Sequence, residues 1–371
     1  MFSFKPYSFL FIFILIFGSM LSLSSLHWLS IWMGLEINLM GFIPILIYRG
    51  VTQETESGMK YFIMQALGSG MIMAGSLLAF NLSLTWDTAP SMKLHLGVTV
   101  LLFGLMLKLG SFPFHFWLPS VMAGISWLSC LLLTTWQKLA PLFLLAAISS
   151  NWTYFNNHWT MFLLVSAGMS SLIGGIGGMN QTQIRALLAY SSIGHIGWMI
   201  MCSVLSSSAL KTYFIIYFTV SISVFMALWN AEKSFFSQTS TMKTEFPKMN
   251  EISLILMLLS LGGMPPLLGF LGKWLAIWSS CMTSSYLVIT PLLTGSLISL
   301  FYYLSLLFSI TLFSSSKLTL NKYTSPLVAA AYSPNSKTFM HNFSPMMNMI
   351  FMLNLVGGTL IMFSLSIFDF I

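Results

Sequence analysis

Four ionisable residues stand inside long apolar runs of this 371-residue chain. Glu36 lies in WMGLEIN, Lys108 in LMLKLGSFPFHFW, Lys138 in WQKLAP and Lys273 in GGMPPLLGFLGKW. Lysine in such surroundings suits proton handling. Its reference pKa is about 10.4, and desolvation can bring an amine into the range where it loads and releases protons near neutral pH. Arginine stays charged and cannot do this. A neighbouring carboxylate favours the charged amine, so moving that carboxylate would switch a lysine between holding and releasing its proton. His195, in AYSSIGHIGW, fits either a packed position or a proton relay beside Tyr190, Ser191 and Ser192.

The elements that hold these groups must be membrane helices. The chain is 57% hydrophobic and only 6% Asp, Glu, Lys and Arg. An ordinary soluble domain carries about 25% charged residues, and fewer could not cover its surface. Apolar blocks such as FIFILIFGSM at 11–20 match a bilayer core, which takes about 20 residues of helix at 1.5 Å rise. Strand alternation is missing, which argues against a barrel. The expected fold is all-α: a polytopic membrane helical bundle of about eleven spans. They are placed at 4–22, 26–48, 59–81, 94–126 (broken), 128–148, 158–177, 182–205, 209–230, 250–281 (broken), 284–310 and 347–368. The first of these is read as a span and not a cleaved leader, since no small-residue cleavage pattern follows it.

In that setting the four charges are costly. Each lysine or aspartate at a helix centre disfavours insertion by about 2.5–3.5 kcal/mol; with glutamate treated alike, four groups sum to on the order of 10–14 kcal/mol before pairing. Glu36 and Lys138 fall near the centres of their spans, about 15 Å of helix from either surface, too far to snorkel. The single buried carboxylate can pair with one lysine, which leaves two amines needing other compensation. Function is the better explanation.

Gly110, Ser111 and Pro113 break the span that carries Lys108, and 262–266 break the one that carries Lys273. LGSFPF at 109–114 matches LGGMPP at 261–266, with Leu, Gly and Pro in register. The two spans lie five apart and so cross in opposite directions, the pattern of an inverted repeat with discontinuous helices. This gives two five-helix repeats, 1–148 and 149–310, then a polar loop and a terminal span over 311–371. Exposed backbone at each break needs water or protein, so hydrated cavities should reach the lysines. Gly174 and Gly178, at GxxxG spacing, read as close helix packing. His115 and Trp117 follow the first break and could line it.

Other chemistries lack their residues. Basic residues are dispersed despite the net charge of +7, which argues against nucleic acid. Cys130, Cys202 and Cys281 form no CxxC pair and read as small apolar side chains. No GxGxxG, GxxxxGK[ST] or HExxH motif occurs, and the histidines do not pair as haem ligands. On one side of the membrane fall Lys5, Arg49, Lys60, Arg185, Lys233, Lys243, Lys248, Lys317, Lys322 and Lys337; only Lys93 and Lys211 fall on the other. The positive-inside rule puts the N-terminus on the cytoplasm-like or matrix face and the C-terminus opposite.

WMGLEIN (32–38), LKLGSFPFHFWLPSVMAGISW (107–127), WQKLAP (136–141), GGIGGMNQTQIRALLAYSSIGHIGWM (174–199) and GGMPPLLGFLGKW (262–274) resemble the mitochondrial NADH dehydrogenase subunit 2 family, antiporter-like membrane subunits of respiratory complex I. The resemblance implies eleven helices in two inverted repeats and a multi-pass place in the mitochondrial inner membrane. It pairs Glu36 with Lys108, makes Lys138 the central lysine of the next helix, puts Lys273 after the second break and sets His195 on the connecting hydrophilic axis. It also implies an obligate hetero-oligomer with other complex I membrane subunits and lipids as partners. NADH, FMN, iron–sulfur clusters and ubiquinone belong to partner subunits; none is expected in this chain. The expected function is proton translocation within NADH:ubiquinone oxidoreductase. A stand-alone cation/proton antiporter, or a non-conducting assembly scaffold, would use the same residues. Quinone binding has no residue pattern behind it.

Overall fold

The computed structural model describes residues 7–48, 50–80, 91–152, 157–231, 235, 248–265, 267–283, 285–312, 352 and 354–359. Helices α1 (Tyr7–Ser24), α2 (Trp28–Leu46), α3 (Thr52–Ala79) and α4 (Ser91–Leu109) are followed by the short α5 (Trp117–Gly124) and α6 (Trp127–Thr134), then α7 (Trp136–Trp152). Next come α8 (Asn157–Met179), α9 (Ile184–Leu205), α10 (Ser207–Ala231), α11 (Lys248–Gly262), α12 (Leu268–Met282) and α13 (Tyr286–Leu312). Among the described residues, extended pairing is limited to isolated bridges such as Gln183 with Phe235. Among the described residues, eight helices are long and apolar enough to cross a membrane. The shorter apolar segments His95–Leu109 and Ile252–Gly262 are the leading halves of the two spans expected to be broken. The protein is an α-helical membrane bundle. Most of the expected span 347–368, of the 311–346 loop and of the 231–249 loop lies outside the described residues, as do Lys5, Arg49, Lys233, Lys243, Lys317, Lys322 and Lys337.

One boundary differs from the sequence expectation, and one expected span carries an added turn. Helix α3 begins at Thr52, not near 59, so TQETES forms its first turns. Acidic Glu54 there suits the helix dipole, and Glu56 pairs with Lys60 one turn on at 2.6 Å; hydropathy alone does not register such polar turns. The expected span 128–148 stands as one apolar span, Trp127–Ser150, with a local turn at Thr135 between α6 and α7. Thr134 and Thr135 hydroxyls donate to the carbonyls of Cys130 (3.0 Å) and Leu131 (2.7 Å). That back-bonding competes with the helix ladder, and it puts the turn three residues before Lys138.

Helix α9 sits at the centre: 78% of its spanning window is buried, against 22% for α1 and α13 at the periphery. It packs on α5, α7, α8, α10, α12 and α13. Lipid offers no hydrophobic drive between helices, so close contact relies on small residues. On Gly174 a Cβ would lie 2.6 Å from the backbone of Gly194, and on Gly178 it would lie 2.6 Å from the Tyr302 ring. The GxxxG spacing thus serves two neighbours, α9 on one side and α13 on the other. Buried serines such as Ser166, Ser170 and Ser191 donate to carbonyls three residues back on their own helices, which lets apolar helices carry hydroxyls without unpaired donors.

Candidate proton-carrying site

The three lysines are all buried deep in the bundle: Lys108 is 7% exposed, Lys138 2% and Lys273 8%. None has snorkelled to a surface. Lys108 lies in the last turn of α4, with its stem against Gly68 of α3. The carbonyls that α4 leaves open at the break are met by neutral donors: Trp117 Nε1 reaches Leu107 O at 3.1 Å and Gln65 Nε2 reaches Lys108 O at 3.4 Å. Gly110 turns the chain at φ +70°, and its N–H closes on Met106 O at 3.0 Å.

Lys108 and Lys138 line one small cavity together with Tyr61, Gln65, Trp117 and Gln137. About 10 Å³ of it is open to the centre of a water molecule, near the space one water needs. The Gln137 amide is locked by a reciprocal pair with Asn38 (3.0 and 3.1 Å) and lies 3.5 Å from the Tyr61 hydroxyl. Glu36, two residues before Asn38 on α2, is partly buried. It interacts with Lys108 through space, but no ion pair within 4.0 Å joins them; among the described residues the ion pair formed is Lys60 with Glu56. The Glu36–Lys108 pairing implied by the family resemblance is therefore a through-space interaction here and not a direct ion pair.

From Lys138 the chain of polar groups continues into α9 and α10. Its amine donates to Ser192 O at 3.3 Å and to the Tyr217 hydroxyl at 3.5 Å, and sits 5.4 Å from the centre of the Tyr217 ring, within cation–π range. The His195 ring lies 5.1 Å from that same ring, and its Nδ1 is 2.9 Å from the Tyr213 hydroxyl. Tyr190 is not the partner of His195; its ring instead packs on Gly177. Ser191 and Ser192 are committed to Leu188 O and Ala189 O. His115, buried beside Phe116, does not line the cavity that Trp117 lines.

His195 and Lys273 line a second water-sized cavity with Ser191, Ser296, Ser299 and Tyr303. A third, lined by His195, Tyr213, Tyr217, Ser260 and Gly269, reaches the second break. At that break the Lys273 amine itself donates to Gly262 O at 2.8 Å, an open carbonyl at the end of α11. The opposite half is tied by Asn354, 2% exposed, whose Oδ1 accepts from Leu268 N at 3.1 Å while its amide meets Met257 Sδ at 3.0 Å. Lys108, Lys138, His195 and Lys273 thus form one succession: cavity, tyrosine, histidine, cavity. Tyr213, Tyr217, Gln137 and Asn354 escaped the sequence reading. The first two stand four residues apart on one face of α10, a signal that was there to be read.

Residues 25–299 match the family model described as NADH:quinone oxidoreductase/Mrp antiporter, transmembrane. The chain belongs to this family. Relatives within this oxidoreductase/antiporter family include the NADH-ubiquinone oxidoreductase chain 2 of Lumbricus terrestris, 40% identical over 296 residues that cover 80% of this chain and 84% of the relative. The protein of the same name from Myxine glutinosa is 43% identical over 295 residues, 78% of this chain and 82% of its own length. A solved structure of respiratory complex I from Thermus thermophilus with bound aureothin contains a chain that superposes with a TM-score of 0.75 at 26% identity, covering 84% of this chain and 72% of that one. Glu36, Lys108, Lys138, His195 and Lys273 all fall inside the segment that the family model matches.

Proposed function

We propose that this chain is a proton-translocating membrane subunit of NADH:ubiquinone oxidoreductase, working inside a hetero-oligomer in the mitochondrial inner membrane with its N-terminus on the matrix face. The observation that carries this reading is the succession from Lys108 through Lys138, Tyr217 and His195 to Lys273, joined by two water-sized cavities. Protons move along it by hopping between amines, imidazole and water. Glu36 acts on Lys108 through space, so a change in its charge or position alters how firmly that amine holds its proton. The driving force must be supplied elsewhere: moving one charge across 100 mV costs about 2.3 kcal/mol, and no nucleotide or metal-cluster motif occurs in this chain. NADH, FMN, iron–sulfur clusters and ubiquinone are assigned to partner subunits. The two segments 1–148 and 149–310 are read as inverted repeats, each contributing one broken helix.

Lys138→Met tests the reading. It removes the central amine while keeping the length of the side chain. In the assembled complex, sealed in vesicles, protons moved per NADH oxidised should fall while NADH oxidation with an uncoupler persists. Unchanged stoichiometry would leave the chain as a scaffold. The shared family description also keeps a cation/proton antiporter in view; sodium exchange by the purified chain in proteoliposomes, with no large assembly on native gels, would favour that reading instead.

A further inference from the structure

The cavity between His195 and Lys273 has a lining whose hydrogen bonds are nearly all spoken for. Ser171 Oγ donates towards Gly168 O (2.7 Å) and Pro291 O (3.0 Å), Ser191 Oγ to Leu188 O at 2.8 Å, Ser296 Oγ to Leu293 O at 2.9 Å and Ser299 Oγ to Ser296 O at 2.7 Å. These hydroxyl protons are held by backbone and cannot be passed on. His195 Nδ1 is engaged with Tyr213, which leaves Nε2 as its other ring nitrogen. One hydroxyl is different. Tyr303 lines the cavity, is 1% exposed, and its Oη makes no hydrogen bond of standard geometry, although the Ser191 and Tyr302 hydroxyls lie beside it. A phenol both donates and accepts, and a buried hydroxyl without a partner is costly unless water meets it. Its ring also lies 3.6 Å from the Cβ position of Gly262, the residue whose carbonyl takes the Lys273 amine.

We infer that Tyr303 is a further positioning residue of the proton path, its hydroxyl holding one water between the Lys273 amine and His195 Nε2. This rests on the reading of the chain as a proton carrier. The step balances. An N–H bond of the Lys273 ammonium breaks and its proton joins the water oxygen, while that water gives one of its own protons to Nε2. A neutral amine, an imidazolium and the water remain. Tyr303 lies beyond the segment that the family model matches, so the assignment comes from this structure's geometry.

Tyr303→Phe removes the hydroxyl and keeps the ring. In the assembled complex in sealed vesicles it lowers protons per NADH as far as Lys138→Met does, while uncoupled NADH oxidation stays unchanged; a merely structural role would lower both. If Lys138→Met lowers the stoichiometry and Tyr303→Phe does not, the role of Tyr303 is overturned and the path stands. If Lys138→Met has no effect, the proton-carrier reading itself falls. A density map of the wild-type complex that resolves waters gives a test without any variant. Water within hydrogen-bond distance of both Tyr303 Oη and the Lys273 amine supports the assignment, and a dry cavity overturns it.

Discussion

The two helix breaks share a sequence pattern, LGSFPF and LGGMPP, yet they solve the same backbone problem in different ways. A broken helix leaves carbonyls open at the end of its first half, and in a membrane each needs a donor from the protein. At the first break the donors are neutral, Trp117 and Gln65. Lys108 gives only its backbone carbonyl to this arrangement, and its amine is left for the cavity. At the second break the donor is the Lys273 amine, on Gly262 O. That contact also sets a cation against the negative end of the α11 dipole. One lysine is uncommitted and the other is part of the backbone's own satisfaction. Breaking a helix near a lysine is therefore not enough to define its role; what matters is which group closes the open carbonyl.

The largest contrast should come from removing each amine. Lys108→Met takes away a buried charge and strands no carbonyl. Lys273→Met takes away a similar charge but leaves Gly262 O unpaired, a cost of about 1–3 kcal/mol. Both variants escape the insertion cost of a central lysine; Lys108→Met also takes the through-space partner from Glu36, so a lower midpoint for Lys273→Met shows the cap outweighing that loss. The assembled complex should melt lower with Lys273→Met than with Lys108→Met; equal midpoints would show that the Gly262 contact adds nothing.

Glycine substitution sharpens the comparison further. Gly110 and Gly263 both hold positive φ, +70° and +80°, so alanine at either is strained by about 1–2 kcal/mol. The space beyond differs. A Cβ on Gly110 would meet Leu118 Cδ1 at 2.9 Å, whereas one on Gly263 would meet the Lys273 amine at 2.8 Å. Both alanine variants should lower the amount of assembled complex on native gels to a similar degree. Only Gly263→Ala should also reduce the protons moved per NADH by the complex that does assemble.

The smallest effect concerns the far side of the second break. Asn354→Ala removes the acceptor for Leu268 N, the equivalent of losing a helix N-cap, which costs about 1 kcal/mol. A small drop in melting midpoint is expected, with proton stoichiometry kept. A large loss of pumping in this variant would mean that Asn354 does more than hold α12.

Glu36, Lys108, Lys138 and Lys273 were legible as a set because charge is scarce in this chain and conspicuous inside apolar runs. The two breaks were legible for the same kind of reason, since Gly and Pro interrupt long periodic segments. The Thr135 turn was not. It carries no Gly or Pro and depends on hydroxyls that turn back onto their own helix. Tyr213 and Tyr217 lay within reach of a helical-face argument through their spacing of four, a signal diluted by the many aromatic residues of this chain. Asn354 could not have been found, because it acts across 86 residues on the N-terminus of another helix.

The sequence by itself determined that the chain crosses a bilayer as helices, where two of those helices break, and which few charges they carry inside. Length, hydropathy and backbone permissiveness are local properties, and lipid punishes any alternative. Tertiary structure alone decided that Lys273 is tied to a backbone carbonyl while Lys108 is not, that Glu36 forms no ion pair with Lys108, and that Tyr217 stands between Lys138 and His195. Those outcomes depend on side chains reaching from one helix to another. Such reach is set by how the helices pack, and no periodicity along the chain encodes it.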